Sequence, residues 1–242
     1  MPKNNHFTIL ITSYNCAAWV EKNLGSVHDQ EYKNFDVIYI DDNSTDNTYV
    51  EASRFNNLKT LKNTFNKGKM QNVCESIKFM RQDTIVVILD GDDWLYDKLV
   101  LSKLNEVYNS GEVWMTNGSY IVEPTNEIIR PNIKADYWSG NIRQKSWEFS
   151  HLGSFRKELF EKIKKKDFMN SRGEYWSTTS DQAIMWPLVE MAGPEHHRCI
   201  DAILYVYNRL NPLSDDRVHR QDQLQTEKTI RSLRPYGRLA AL

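Results

Sequence analysis

Short apolar runs, each closing on polar or acidic side chains, recur along the first half of the chain. The first, Phe7-Thr8-Ile9-Leu10-Ile11, runs into Thr12-Ser13-Tyr14-Asn15 and predicts a buried strand followed by a polar loop. Val20, Leu24 and Val27 then fall on one helix face, which predicts a helix over residues 17–28 packed on a sheet. Val37-Ile38-Tyr39-Ile40 predicts the second strand and ends in Asp41-Asp42-Asn43-Ser44-Thr45-Asp46. Ser44 or Thr45 is expected to cap a helix running to about Arg54. Residues 58–61 predict a third strand, after which Asn66-Lys67-Gly68-Lys69 turns into a helix with Val73, Ile77 and Met80 on one face. Ile85-Val86-Val87-Ile88-Leu89 predicts a fully buried strand that delivers Asp90-Gly91-Asp92-Asp93 to its carboxyl end. Leu101, Leu104 and Tyr108 stripe the helix after it.

Strand and helix therefore alternate to about residue 110, the pattern of a doubly wound, mainly parallel α/β sheet with helices on both faces. Beyond Val113-Trp114-Met115 the alternation breaks up around Pro124, Pro131 and Gly140, and this half is expected to build a different wall of a cleft. Ile184, Leu188 and Met191 stripe a later helix, residues 202–207 predict a late strand, and a surface helix is expected over residues 219–233. The division is 1–110 and 111–215 as two halves of one domain, with 216–242 a helical tail.

Composition narrows the picture. The 242 residues suit one α/β domain, and 31 Lys+Arg against 32 Asp+Glu give a net charge of -1. Such a balance argues against general attraction to nucleic acid or anionic lipid. Lys162, Lys164, Lys165 and Lys166 read as a solvated helix end. Cys16, Cys74 and Cys199 lack the C-x-x-C spacing of zinc or redox sites and suit a reducing compartment. The N-terminus lacks a signal-peptide core, and no apolar run approaches the roughly 20 residues that span a bilayer, so a soluble cytoplasmic protein is expected.

In an open parallel sheet, ligands bind outside the carboxyl ends of the strands, where this sequence places Tyr14, Asn15, Asp41, Asp42, Asn66, Lys67, Asp90, Asp92 and Asp93. Three carboxylates within Asp90-Gly91-Asp92-Asp93 repel one another unless a positive charge neutralises them. Mg²⁺ or Mn²⁺ takes such oxygen ligands together with substrate phosphates, whereas the bland alternative is a solvated Asp-Gly turn. Asp41 and Asp42 have no capping task at a strand end, and either carboxylate can accept from a base N–H or a ribose hydroxyl.

The first strand ending near Tyr14-Asn15, the Asp41-Asp42-x-Ser44-x-Asp46 motif, the Asn66-x-Gly68 helix start and Asp90-Gly91-Asp92-Asp93 follow one another in an order that resembles glycosyltransferase family 2. The match is firm over about residues 7–110 and looser to about 215. It implies a GT-A fold and an inverting, non-processive transferase that moves a sugar from a nucleoside diphosphate donor, a UDP-sugar, to a hydroxyl of a glycan or other acceptor. By resemblance Tyr14, Asp41 and Asp42 frame the nucleoside, Asn66, Lys67 and Lys69 lie near base or phosphates, Asp90 approaches the ribose, and Asp92 holds Mn²⁺ or Mg²⁺. The family's catalytic base maps to Asp181, in Thr179-Ser180-Asp181-Gln182, where Ser180 replaces the usual first acid. Arg209, Asn211 and His219 compete for the late diphosphate contact. His151 is a candidate for the acceptor or the diphosphate, and Trp176 for stacking on a sugar because it lies near Asp181 in sequence. His196-His197 is expected in a loop without zinc.

Two other classes compete. A sugar nucleotidyltransferase also joins sugar, nucleotide and metal on such a sheet, but the loop after the first strand has neither the glycine nor the lysine that such enzymes place there. An inactive carbohydrate-binding relative would keep the fold without the chemistry.

Overall fold

The computed structural model describes residues 2–242, with side chains at all but 215 and 216. β1 (Phe7–Ser13) is apolar on both faces and lies inside the sheet. Phe7, Ile9 and Ile11 face α1 (Val20–His28), while Leu10 joins the opposite core. Side chains that alternate along a strand serve two layers in this way. β2 (Phe35–Asp41), α2 (Thr48–Ala52), β3 (Lys59–Lys62), α3 (Lys69–Ile77), β4 (Ile85–Asp90), the two-residue β5 (Trp94–Leu95) and α4 (Val100–Asn109) follow. β1 pairs in parallel with β2 and β4, Phe7 standing opposite both Phe35 and Ile85, and β3 pairs in parallel with β2. The polar ends of these strands therefore emerge on one edge.

The second half comprises β6 (Met115–Glu123), β7 (Glu127–Ile129), β8 (Ser154–Arg156), α5 (Lys157–Phe160), α6 (Ser180–His196), β9 (His197–Asn208), α7 (Asp215–Val218) and α8 (Arg220–Ser232). The sheet runs β3-β2-β1-β4-β8-β6-β9-β5, with β7 paired to β6. β8 is antiparallel to both β4 and β6, so it joins the parallel half to the irregular half. One core layer holds side chains of α1 and α4 and the other those of α3, α5 and α6, a doubly wound arrangement.

Several local expectations change. Neither Ser44 nor Thr45 caps α2: its N-cap is Asn47, and Asp46 Oδ1 accepts from Thr48 N at 2.9 Å. Ser44 Oγ instead accepts from Asn15 N at 2.9 Å, which ties the first two polar loops together. α6 is buried from Gln182 to Gly193 rather than along one stripe, because it runs through the core, and it breaks at Gly193, where φ is 58°. His197 is no loop residue; it opens β9, is buried, and bonds Asn117 Oδ1 at 2.6 Å. The C-terminal helical segment bonds to the rest of the chain. Arg143 Nη1 donates to Ile230 O at 2.8 Å, and Leu239 N donates to Met191 O at 2.9 Å. No helix among the described residues is long and apolar enough to cross a membrane.

Candidate active site

The turn after β4 forms the floor of a cleft of about 280 Å³ at the carboxyl ends of the parallel strands. Gly91 is required there: a Cβ would lie 2.6 Å from Ser13 Cβ, where the turn crosses the end of β1. Asn23, a polar residue within the apolar stripe of α1, donates from Nδ2 to Asp90 O at 2.8 Å and Asp93 O at 2.7 Å. Both Asp93 oxygens are engaged, Oδ2 by the Tyr205 hydroxyl at 2.5 Å and Oδ1 by Asn208 N at 2.7 Å. Asp92 Oδ2 accepts from Asn211 Nδ2 at 2.7 Å. Asp90 pairs with the Lys69 ammonium.

These environments separate the three carboxyls. Burial pushes Asp93 well above the ordinary carboxylate range, helped by the charges of Asp92 and Asp90. Asp92 is raised by burial and then by Asp90. Burial works most strongly against ionisation of Asp90 as well, but the Lys69 ammonium and His151 together outweigh it and hold this carboxyl below its usual value. Crowded carboxyls that resist joint ionisation fit a divalent cation, whose charge would relieve the repulsion. Ligand atoms of Asp90, Asp93 and His151 lie within 4.8 Å of one another. Both Asp93 oxygens are already committed to Tyr205 and Asn208, whereas Asn211 and Lys69 engage one oxygen each of Asp92 and Asp90.

Asp42 lines the cleft but also holds its wall. Its Oδ1 accepts from Asn63 Nδ2 at 2.7 Å and Lys67 N at 2.9 Å, and its Oδ2 from Gly68 N at 2.8 Å, fixing the loop that leads into α3. Asp41 is fully buried beneath the surface, 3.8 Å from Lys62 Nζ, with Oδ2 lacking a hydrogen-bond partner.

The facing wall comes from the irregular half. His151 stacks on Tyr205 with ring centroids 4.5 Å apart and on Tyr207 at 5.3 Å. Burial lowers its pKa, against the opposing charge of Asp90, and favours the neutral ring. Asp181 stands in the first turn of α6, and burial raises its carboxyl in spite of the Lys69 ammonium. Thr179, just before it, has φ 58° and ψ 30°, a left-handed conformation that costs a β-branched residue about 1–3 kcal/mol.

Of the residues expected in the site, Tyr14, Asp42, Lys69, Asp90, Asp92, His151, Asp181 and Asn211 line the cleft. Asn66 is exposed outside it, and Lys67 pairs with Glu75 at 2.8 Å. Trp176 packs against the core and donates from Nε1 to Asp167 O at 3.0 Å. Arg209 and His219 are exposed away from the lining. The sequence reading passed over Asn72, Tyr207, Thr179 and Gln223, which also line the cleft, and over Asn23, Tyr205 and Asn208, which hold the turn. Asn23 alone had a visible signal, its place within an apolar stripe.

Comparison with known proteins agrees with this geometry. Two Escherichia coli proteins, the UDP-Glc:α-D-GlcNAc-diphosphoundecaprenol β-1,3-glucosyltransferases WfgD and WfaP, are each 27% identical to it, over 125 and 119 residues. These stretches cover 50% and 48% of this chain and 48% and 46% of the relatives, so the chain spans about half the length of the curated relatives it matches. Among solved structures, residues 1–349 of S. aureus TarS align with a TM-score of 0.66 and 16% identity, covering 84% of this chain and 60% of that one. The mannosyltransferase PcManGT from Pyrobaculum calidifontis, in complex with GDP-Man and Mn²⁺, aligns at 0.63 with 19% identity over 98% of this chain and 68% of its own. Glucosyl-3-phosphoglycerate synthase from Mycobacterium tuberculosis, with Mn²⁺, UDP and glucosyl-3-phosphoglycerate, aligns at 0.62 with 15% identity, over 94% and 80%. Residues 8–171, more than half of the sequence, match the family described as Glycosyl transferase family 2, and the chain belongs to that family.

Proposed function

We propose that this chain transfers a sugar, with inversion and in single steps, from a UDP-sugar to an acceptor hydroxyl. The observation that carries the reading is the opposition of Asp181 to the Asp90–Asp93 turn across one cleft, with Lys69 acting on both sides. Tyr14, Asp42 and Lys69 bind the nucleotide end, Lys69 bringing positive charge against the diphosphate. Asp92, with Asp90 beside it, would hold Mn²⁺ or Mg²⁺, which supplies neutralisation of the departing diphosphate charge. Two of the structurally similar proteins were solved with Mn²⁺.

Asp181 takes the acceptor proton as the new bond to the anomeric carbon forms and the bond to the diphosphate breaks. A carboxyl held above its usual pKa by burial is a better match to a hydroxyl proton than a fully solvated one, provided it is ionised at the working pH. Attack opposite the leaving group inverts the anomeric centre, with Asp181 as base and no covalent sugar-enzyme intermediate. The two E. coli relatives are named for glucosyl transfer from UDP-Glc to α-D-GlcNAc-diphosphoundecaprenol, which makes UDP-Glc and a GlcNAc diphosphate the first pair to try. The family match favours transfer over synthesis of the sugar nucleotide. Incubation with this pair and Mn²⁺ should release UDP, and proton NMR should find a β-linked product from the α-configured donor. Retained configuration would overturn the mechanism, and conversion of UDP-Glc with added pyrophosphate into UTP and glucose 1-phosphate would point to nucleotidyl transfer.

A further inference from the structure

Gln223 lies on α8, beyond the last residue of the family match, yet it lines the cleft beside Thr179, Ser180 and Asp181. Its side chain is half-buried, and among the described residues its carboxamide makes no hydrogen bond. The helix that carries it is fixed from several sides. Thr179 Oγ1 donates to Gln223 O at 3.3 Å, directly coupling α8 to the residue that precedes the start of α6. Arg143 holds the far end through Ile230 O, and Arg231 Nη1 donates to the carbonyls of Arg143 at 2.7 Å and Lys145 at 2.8 Å. The left-handed backbone of Thr179 persists because this surrounding structure holds it. Tyr14, Asp42, Asp90 and Asp92 come from the ends of the parallel strands, whereas Gln223 approaches from the side of Asp181.

We propose that Gln223 recognises the acceptor: its carboxamide hydrogen-bonds a hydroxyl or acetamide of the acceptor sugar next to the hydroxyl that gives its proton to Asp181. The assignment rests on the transferase reading above. A carboxamide presents a donor and an acceptor in one plane, which suits a polar group able to give or to receive a hydrogen bond. Its position on an anchored helix fixes the backbone from which that carboxamide reaches into the cleft.

The test uses the full chain with UDP-Glc, Mn²⁺ and an α-D-GlcNAc diphosphate alkyl ester as acceptor. Gln223→Ala should raise the acceptor KM about 3- to 10-fold, the loss expected for one neutral hydrogen bond. Gln221→Ala, on the same helix but exposed, should keep the wild-type acceptor KM. UDP affinity measured on the same preparations separates lost recognition from a displaced helix. An unchanged acceptor KM in Gln223→Ala overturns the assignment, as does a rise matched by an equal loss of UDP affinity. Absence of transfer by the wild-type chain overturns the transferase reading, and the role of Gln223 falls with it.

Discussion

Arg143→Met removes a cation that is 1% exposed and whose carboxylate partner, Glu190, is 7% exposed. Its Nε and Nη2 donate to the two oxygens of Glu190 at 2.6 and 2.8 Å, and its Nη1 reaches Ile230 O at 2.8 Å. The variant leaves the Glu190 carboxylate in the core with Tyr236 N, at 3.0 Å, as its remaining hydrogen-bond donor among the described residues. Breaking one side of such a buried pair costs about 3–5 kcal/mol, a large share of the roughly 5–15 kcal/mol that holds a domain together. For a chain of this size that corresponds to a fall of about 6–20 °C in Tm. Replacing both members, Arg143→Met with Glu190→Leu, should recover most of the loss, since no charge is left unpaired. Urea unfolding followed by circular dichroism reads both quantities, with an unchanged m-value showing that stability rather than compactness has moved. The same contact anchors α8, so acceptor KM should rise in the single variant before global unfolding sets in. A loss below about 1 kcal/mol, or a double variant no more stable than the single, would refute the reasoning.

Acid should weaken the fold through His197, whose buried ring is held neutral with its pKa pushed down to about 3, first by burial and then by Arg198. Because the folded pKa lies below the unfolded value of 6.5, this contribution is complete above pH 6.5 and is lost progressively between pH 6.5 and 3, about 2 kcal/mol by pH 5. His197→Gln should flatten the pH dependence of urea midpoints over that window; an unaltered slope would exclude His197 as the source. At the cleft, Asp92→Asn should weaken Mn²⁺-supported UDP binding in calorimetry and abolish turnover, and full activity in this variant or in excess chelator would remove the metal from the account.

Much of the first half of the fold was legible because β1, β2 and β4 each carry a contiguous apolar run that leads through a polar loop to a helix. The Asp90-Gly91-Asp92-Asp93 turn stood out for the same reason: it ends the apolar strand β4. The opposite wall depends on contacts that no local period records. β8 has only three residues, yet Val87 pairs with Ser154 and Ile88 N donates to Gly153 O at 3.2 Å. Continuing that antiparallel path carries His151 toward Asp90, 61 positions earlier in the sequence. The stacking of His151 on Tyr205 and Tyr207 likewise needs β9 alongside β6, across an irregular register. Gln223 was read as part of a polar surface helix because one buried side chain, Ile230, gives α8 almost no apolar stripe, and its docking relies on arginine-to-carbonyl bonds. Trp176 was placed near Asp181 by sequence proximity alone, and its indole turns instead toward Asp167.

The central claim is that Asp181 moves the acceptor proton while other residues hold the donor. Turnover with saturating acceptor and UDP affinity by calorimetry, both measured for Asp181→Asn and the wild-type chain, test it most directly. Turnover should fall about 10²–10⁴-fold, because the variant keeps the shape and loses the basic oxygen, while UDP affinity stays within about twofold. Near-normal turnover would contradict the assignment, and a large loss of UDP affinity would put Asp181 in the nucleotide or metal site instead.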